Sequence, residues 1–453
     1  MSPKATLYFC KNCGSENSRW MGFCHVCGMN EPLVEAPTHP ENINSNVHLS
    51  PKPISSVTSN DVKRIEFASH EINRVFGGGI VPGSIILMAG EPGIGKSTIL
   101  LQLANELTFN TNSTDNPILY VSGEESINQI KLRSDRIEID QNNILALGET
   151  SVEHAIQVMN SIKPKFVIID SIQTIFSESL SSTSGTVQQL RECCRLLTLW
   201  GKENDTPIIF SGHVTKEGDI AGPKVLEHMV DVVLHLEGDT LGIYRLLRSS
   251  KNRFGSSDEI ALFEMRANGL ININDPSSAI LSSRSGPSAG SIIAPIIQGS
   301  RPMLVEVQAL SSNTNSPNPR RLASGIDQSR LLMISAVLSK RTKIPILNQD
   351  IIVNIPGGFR TSEPTIDLPV ALAITSSFTG ITPATDISAI GEIGLNGELR
   401  PVQQIQRRLQ EVIRLGIPKI LVPTRGEKLQ SDEIDIITVN TLSEAINAIE
   451  IMP

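Results

Sequence analysis

The stretch Gly90-Glu91-Pro92-Gly93-Ile94-Gly95-Lys96-Ser97-Thr98 holds the residue types a triphosphate needs, at the spacing it needs them. Glycines let successive backbone amides fold around phosphate oxygens, and the amino end of a following helix adds partial positive charge. Lys96 would reach the β- and γ-phosphates of ATP, and the Ser97 hydroxyl would ligate Mg²⁺. Asp170 fits the carboxylate that holds the same Mg²⁺. Glu124 fits the base that orients the attacking water, and His213 a sensor of the γ-phosphate. For Glu124, Glu125 and Ser126 the competing explanation is helix-start chemistry, because acids near a helix amino end are stabilising anyway. Glu124 is preferred to Glu125 as the base, and a plain structural role for His213 stays open.

Four cysteines suggest a second chemistry. Cys10-Lys-Asn-Cys13-Gly14 is followed by Cys24-His-Val-Cys27-Gly28. Each turn presents two thiolates on one side, and four soft sulfurs suit a closed, structural, tetrahedral Zn²⁺ site. A piece of about 30 residues cannot build an adequate core, so metal binding supplies most of its folding free energy. Gly28 permits the positive φ that such a turn often needs. His25 reads as a bystander, and Cys193 and Cys194 read as packed residues of a helix.

The elements that must position these groups are visible as pattern. Ser84-Ile-Ile-Leu-Met-Ala reads as a buried strand, and Ile99, Leu100, Leu103, Ala104 and Leu107 fall on one face of the helix that follows. Pro117-Ile-Leu-Tyr-Val-Ser-Gly leads to Glu124, Lys165-Phe-Val-Ile-Ile to Asp170, and Pro207-Ile-Ile-Phe-Ser-Gly to His213. Apolar strands with polar groups at their carboxyl ends are the pattern of an open parallel α/β sheet that binds ligands at that edge. Residues 33–60 are rich in Pro, Ser, Asn and Thr and read as a flexible linker. Further on, Ile351-Ile-Val-Asn-Ile, Leu368-Pro-Val-Ala-Leu-Ala-Ile and Ile387-Ser-Ala-Ile-Gly-Glu-Ile-Gly394 read as strand, helix and strand. The expected organisation is a zinc module at 1–32, a linker at 33–60 and an ATPase domain at 61–273. A connector at 274–290 and a second α/β domain at 291–453 complete it.

Composition limits the rest. The chain has 453 residues, 40% of them hydrophobic, which supports two ordinary cores. Its 39 basic and 47 acidic residues give a net charge of −8, so any nucleic-acid contact must come from local basic patches. Aromatics at 4% leave little for base stacking. Met1–Phe9 lacks a signal-peptide core, and no apolar stretch suits a membrane span. The expectation is a cytoplasmic protein with reduced thiols and no membrane partner.

Gly90–Thr98, Tyr120-Val-Ser-Gly-Glu-Glu-Ser126, Gly212-His-Val-Thr-Lys-Glu-Gly218, Ala221–Asp231 and Lys251-Asn-Arg-Phe-Gly255 together resemble the bacterial RadA (Sms) family of DNA repair proteins. The resemblance covers nearly the whole chain. It implies a RecA-like P-loop ATPase core with a parallel sheet, an N-terminal four-cysteine zinc module and a C-terminal α/β domain like that of Lon proteases. It further implies a hexameric, DNA-dependent ATPase that works on single-stranded and branched DNA without reading sequence. Such proteins drive branch migration in concert with RecA.

Within that frame Lys251 and Arg253 are candidates for cations that reach a neighbouring subunit's γ-phosphate, with Arg offering a planar fork. Contact with the DNA backbone and a solvated basic turn are the alternatives. Ser181–Thr186 and Thr215–Pro223 resemble DNA-facing loops, with Lys216 and Lys224 as phosphate contacts. In the Lon-like part, Asp367 stands where a nucleophilic serine should be and Gln406 where its lysine should be. Neither can do that work, so proteolysis is not expected. Arg320, Arg321, Arg330, Lys340, Arg341 and Lys343, and later Arg400, Arg407, Arg408 and Arg414, suggest a DNA-facing surface or an assembly interface, against solvated helix faces. A regulatory ATPase without a DNA substrate remains the rival from another class.

Overall fold

The computed structural model describes residues 8–10, 16–17, 19–25, 27–30, 33–35, 63–109, 117–139, 142–213, 223–238, 243–282, 284, 286–314, 316, 318–425 and 429–449. Cys13, Lys216 and the side chain of Lys224 lie outside the described residues, as does most of the 215–223 loop. The chain forms two compact units, Met1–Ser59 and Asn60–Pro453.

In the first unit, strands β1 (Tyr8–Cys10), β2 (Glu16–Asn17) and β3 (Leu33–Glu35) form a small antiparallel sheet in the order β2-β1-β3. Tyr8 pairs with Glu35 and Cys10 with Leu33. Residues 33–35, assigned to the linker from composition, therefore belong to the module. Composition does not register the backbone pairing that a short strand gains by adding to a sheet edge.

The second unit opens with helix α1 (His70–Val75), followed by β4 (Ile85–Gly90) and α2 (Lys96–Phe109). The parallel sheet continues through β5 (Ile118–Ser122), α3 (Ile127–Arg136), β6 (Ile144–Gly148), α4 (Val152–Ile162) and β7 (Phe166–Asp170). Next come α5 (Val187–Glu203), β8 (Ile208–His213), α6 (Pro223–Glu227) and β9 (Val232–Gly238). Three antiparallel strands, β10 (Tyr244–Asn252), β11 (Ile260–Arg266) and β12 (Gly269–Ile273), extend the sheet. The nine-stranded order is β12-β11-β10-β9-β4-β8-β7-β5-β6. β4, β5 and β7 are buried along their whole length, as parallel strands covered by helices on both faces should be. The chain leaves β4 toward β5 on one side and returns from β8 to β9 on the other. That reversal puts a crevice at the carboxyl end of β4.

Helix α7 (Pro276–Ser282) follows, inside the stretch expected as a connector. Its Ser277 is fully buried, donates to Glu411 at 2.7 Å and accepts from the Leu304 amide. The C-terminal half adds β13 (Ser291–Gln298), β14 (Arg301–Asn313), β15 (Arg321–Ser324), α8 (Gln328–Val337), β16 (Gln349–Asn354) and α9 (Asp367–Thr379). It ends with β17 (Ile387–Ala389), β18 (Glu392–Ile393), β19 (Leu399–Arg400), α10 (Ile405–Arg414), β20 (Lys419–Pro423), β21 (Asp435–Val439) and α11 (Leu442–Ala448). Its mixed seven-stranded sheet runs β15-β16-β14-β13-β17-β20-β21.

One apolar cluster spans both sheets. Leu246, Ile260 and Leu262 of the first pack with Ile292, Met303 and Val305 of the second. Polar ties reinforce the junction: Arg301 donates to Glu71 at 2.7 Å, and the Ser300 amide donates to Glu259 at 2.7 Å.

Candidate active site

β4 delivers Gly90 to the crevice, and the chain turns through 91–95 into α2, which begins at Lys96. Gly93 and Gly95 have φ of 75° and 113°, the left-handed backbone that only glycine adopts readily. Pro92, Lys96, Ser97, Thr98, Glu124 and His213 line a cavity of about 700 Å³. Arg133 and Arg136 of α3 and Met265 and Arg266 of β11 close its far side.

Lys96 is buried, and its Nζ lies 2.9 Å from Gly90 O, 2.9 Å from Glu91 O and 3.0 Å from His213 Nδ1. An ammonium has three hydrogens and no acceptor, so Nδ1 must accept and the ring proton sits on Nε2. His213 Nε2 in turn faces Glu124 Oε1 at 3.2 Å, and Ser171 Oγ donates to that same oxygen. Lys96, His213, Glu124 and Ser171 thus form one polar chain across the ends of β4, β8, β5 and β7. Burial lowers the Lys96 pKa from the usual lysine range, while the nearby charges of Asp170 and Glu124 raise it again.

Asp170 ends β7, almost fully buried, and Tyr120 Oη donates to its Oδ2 at 2.5 Å. β5 and β7 are neighbours with Ser122 opposite Asp170, so Tyr120, two residues earlier, sits on the same face. Burial and then the carboxylate's charge push the Tyr120 phenol well above its ordinary range, which keeps it a donor.

The two adjacent acids part company. Glu124 bonds to His213, whereas Glu125 is held by Arg133 at 2.7 and 2.5 Å. Ser126 caps α3 with Gln129 in a reciprocal capping box, so helix-start chemistry accounts for Ser126. Tyr120, Arg133, Arg136 and Arg266 were not singled out from sequence. Neither was Arg245, whose Nε donates to Ile94 O at 2.9 Å and braces the phosphate loop. Tyr120 had a signal, its place two residues before Ser122 in a strand. The arginines lie on α3, β10 and β11 without a motif to mark them.

Lys251 and Arg253 lie elsewhere. β10 runs through Asn252, so Lys251 stands inside the strand, at a register shift next to Ser249. Asn252 pairs with Val232, which pairs with Ile86 near the start of β4. The five residue steps from Ile85 to Gly90 span roughly 16 Å, so both cations sit at the opposite end of the sheet from the phosphate loop. Lys251 Nζ donates to Glu227 O at 2.6 Å and Val230 O at 2.8 Å. Arg253, 55% exposed, pairs with Asp231 at 3.3 Å. Asp231 also accepts from the Ile85 amide, which ties the turn to the base of β4. Asn252 accepts from the Phe254 amide, and a Cβ on Gly255 would lie 2.7 Å from Gly77 Cα. Asn252, Phe254 and Gly255 therefore shape the turn, Lys251 is bound to carbonyls beneath it, and Arg253 is the cation it exposes.

The Ser181–Thr186 stretch is tied down from beneath by buried Gln189, whose Nε2 donates to Ser177 O and Ser182 O. Cys193 and Cys194 are fully buried in α5. Burial pushes their thiols up to about 12 and about 11, as packed, unreactive residues should show.

In the first unit the sulfurs of Cys10, Cys24 and Cys27 lie within 4.8 Å of one another, with Cys10 and Cys27 3.6 Å apart. Sulfurs bound to one tetrahedral Zn²⁺ at about 2.3 Å would lie about 3.8 Å apart, so these three thiols fit that ion. Gly28 has φ of 71°, and its amide closes the turn onto Cys24 O at 2.8 Å. His25 is not in the cluster and bonds to Met21 Sδ instead.

Asp367 begins α9, fully buried, and Arg330 of α8 grips it at 2.6 and 3.1 Å. Gln406 is exposed on α10, whereas Asp367 is fully buried. The basic clusters are largely committed internally. Arg408 holds Glu363, Arg414 holds Asp275 and Glu411, and Arg321 and Arg341 donate to the Ile346 and Leu395 carbonyls. Arg320, Lys340 and Lys343 remain exposed. A run of basic residues is a poor guide here, because buried carboxylates and loop carbonyls need guanidinium partners too.

Residues 51–219 match the family model described as "AAA domain", and residues 322–426 match "Subunit ChlI of Mg-chelatase". The DNA repair protein RadA of Bacillus subtilis is 41% identical, covering 98% of this chain and 99% of its own. That of Halalkalibacterium halodurans is 42% identical over 98% and 99%, and that of Listeria monocytogenes 42% over 98% and 98%. A solved structure, the KaiC-like protein PH0186 from Pyrococcus horikoshii, aligns at a TM-score of 0.39 and 20% identity over 47% of this chain and 99% of its own. With the loop, its lysine and the acidic strand ends in place on a parallel α/β sheet, the chain belongs to the family of the DNA repair protein RadA and carries that family's RecA-like ATPase core.

Proposed function

We propose that this protein is a DNA-dependent ATPase of homologous recombination that drives branch migration together with RecA, as a cytoplasmic ring of six copies. Among the described residues no helix is long and apolar enough to cross a membrane. The observation that carries the motor reading is the separation of the two functional ends of one sheet. The phosphate loop lies at one end of β4, and Lys251 and Arg253 lie at the other. Within one chain these cations cannot reach the nucleotide, so a phosphate contact by them requires a neighbouring copy. ATP at each interface then links hydrolysis to movement between subunits.

In the cradle, Gly90–Thr98 wraps the phosphates, Lys96 reaches the β- and γ-phosphates, and Ser97 and Asp170 would hold Mg²⁺. When bound there, Mg²⁺ would supply positive charge that offsets the charge developing on the phosphates. Glu124 orients the attacking water, and His213, bonded to both Lys96 and Glu124, senses whether a γ-phosphate has taken the lysine. Cys10, Cys13, Cys24 and Cys27 hold a structural Zn²⁺ in the N-terminal module, giving one zinc per chain that Cys24→Ser should lose. Residues 61–273 form the motor. Residues 291–453 form a Lon-like layer that has given up its catalytic pair.

The test is extension of RecA-formed joint molecules by the full chain, with Lys96→Ala as control. Extension that needs ATP and vanishes in the variant supports the proposal. Equal extension with and without the protein refutes it.

A further inference from the structure

A second cavity lies between the two sheets, apart from the nucleotide cradle. Its volume is about 400 Å³, and Arg248 of β10, Arg360 of the 355–366 segment and Arg408 of α10 line it together with Gln298, Asp258 and Glu363. Three guanidinium groups from elements distant in sequence thus converge against two carboxylates, and each repels the others where no acid stands between them.

Their donors are not used up. Arg408 is only 3% exposed; its Nε donates to Gln403 O and its Nη1 to Pro295 O and Glu363, and its Nη2 has no partner among the described residues. Arg248 donates through Nη1 to Gln298 Oε1 at 3.0 Å, while its Nη2 is buried without a hydrogen bond. Its nearest acid, Glu237, stands 3.9 Å from Nε. Arg360 is exposed at the cavity wall; its carbonyl accepts from Gln298 Nε2 at 2.9 Å, while its guanidinium makes no hydrogen bond or ion pair among the described residues. Glu363 is engaged by Arg408 at 2.8 Å, so Arg248 keeps only the long contact with Glu237 and the Arg360 guanidinium has no ion pair among the described residues. An unpaired guanidinium nitrogen in a buried wall is costly unless a charged acceptor meets it. The acceptor that matches planar forks from several sides is a tetrahedral oxyanion.

We propose that this cavity is a second anion site, taking a phosphoryl group carried either by a small phosphate or by the backbone of a nucleic-acid strand. Its location gives the site consequences. Ser257 and Asp258, in the loop that follows the Lys251–Gly255 turn, line one wall, and Gln403 and Gln404, just before α10, line another. An anion held there bonds the ATPase sheet to the C-terminal layer through Arg248 on one side and Arg408 on the other. The inference does not rest on the proposed DNA activity, since inorganic phosphate alone can reveal the site.

The test uses the full chain with Mg-ADP saturating the P-loop. Calorimetric titrations with inorganic phosphate and with a short oligothymidylate compare wild type, Arg360→Gln and Arg248→Gln/Arg360→Gln, each checked for unchanged melting. Each lost charge-assisted contact should weaken binding by about tenfold or more. A loss of phosphate affinity in the double variant identifies a small-phosphate site. A loss confined to oligothymidylate identifies a strand backbone as the source, and either result upholds the anion site. Arg195→Gln, an exposed cation of α5 outside the cavity and paired only with Glu192, should change neither affinity. If both affinities are unchanged in the double variant, or fall equally in Arg195→Gln, the inference is overturned.

Discussion

Lys96 Nζ and His213 Nδ1 face each other at 3.0 Å, and with Gly90 O and Glu91 O that contact occupies all three hydrogens of the ammonium. A γ-phosphate that recruits Lys96 must displace one of these acceptors. The histidine is the one whose release is felt elsewhere, since its Nε2 lies against Glu124. Lys96 and Glu124, proposed to grip the phosphate and to orient water, are thereby mechanically connected.

If Glu124 orients the water, Glu124→Gln should bind ATP within a few fold of wild type yet hydrolyse it about 10²- to 10⁴-fold more slowly. Single-turnover hydrolysis beside nucleotide titration separates the two effects. A kcat within twofold of wild type would move the role to another group.

Because Lys251 and Arg253 sit at the far end of the sheet from their own phosphate loop, complementation between subunits is expected. Lys96→Ala and Arg253→Ala should each be nearly inactive alone. Mixed, they form some interfaces with an intact loop from one copy and an intact Arg253 from the other. Partial recovery of ATP turnover on mixing is the predicted result, and none at any ratio would place Arg253 outside the reaction.

Tyr120 positions Asp170 without touching nucleotide. Tyr120→Phe removes the hydroxyl and little else from a fully buried site, so the fold should survive. Groups that orient a metal-holding carboxylate typically change metal affinity by about 10- to 100-fold. Mg²⁺ dependence of nucleotide binding should therefore shift to higher concentration while metal-free binding stays unchanged. A shift in both alike would argue for a general packing defect.

The Arg330–Asp367 pair is structural. Arg330→Met strands a fully buried carboxylate and should destabilise the second unit by about 3 kcal/mol, the low end for such pairs because Arg330 keeps some contact with water. Burial already raises the Asp367 pKa from the ordinary carboxylate value, with Arg330 pulling it back. An acid whose pKa is raised in the folded state costs stability when ionised, and that cost is relieved as pH falls through the folded value. Losing Arg330 raises that value further, so the variant's deficit should shrink on moving from neutral to mildly acid pH. Urea melts at the two conditions check it, and a deficit that grows at acid pH contradicts it.

Much of the cradle could be read from residues alone. The glycine loop, the strand before it and the acids at strand ends follow from local pattern, and the structure brings Lys96, Glu124, Asp170 and His213 to one edge of one sheet. The internal anatomy of the Lys251–Gly255 turn was not legible, because Gly255 is needed for its approach to Gly77, far away in sequence. Nor was the fate of the basic clusters. Arg330 and Arg408 look like surface charge in a linear string, yet their partners, Asp367 and Glu363, come from other elements of the folded layer. The third strand of the cysteine module escaped notice because pairing along a sheet edge leaves little trace in composition.

The most direct test of the motor reading is ATP hydrolysis by the full-length protein with and without single-stranded DNA, at low and moderate salt. The account predicts clear stimulation by DNA that weakens as salt rises, because backbone phosphate contacts release counterions. Turnover that ignores DNA at every salt concentration would contradict it and leave an ATPase whose cycle DNA does not enter.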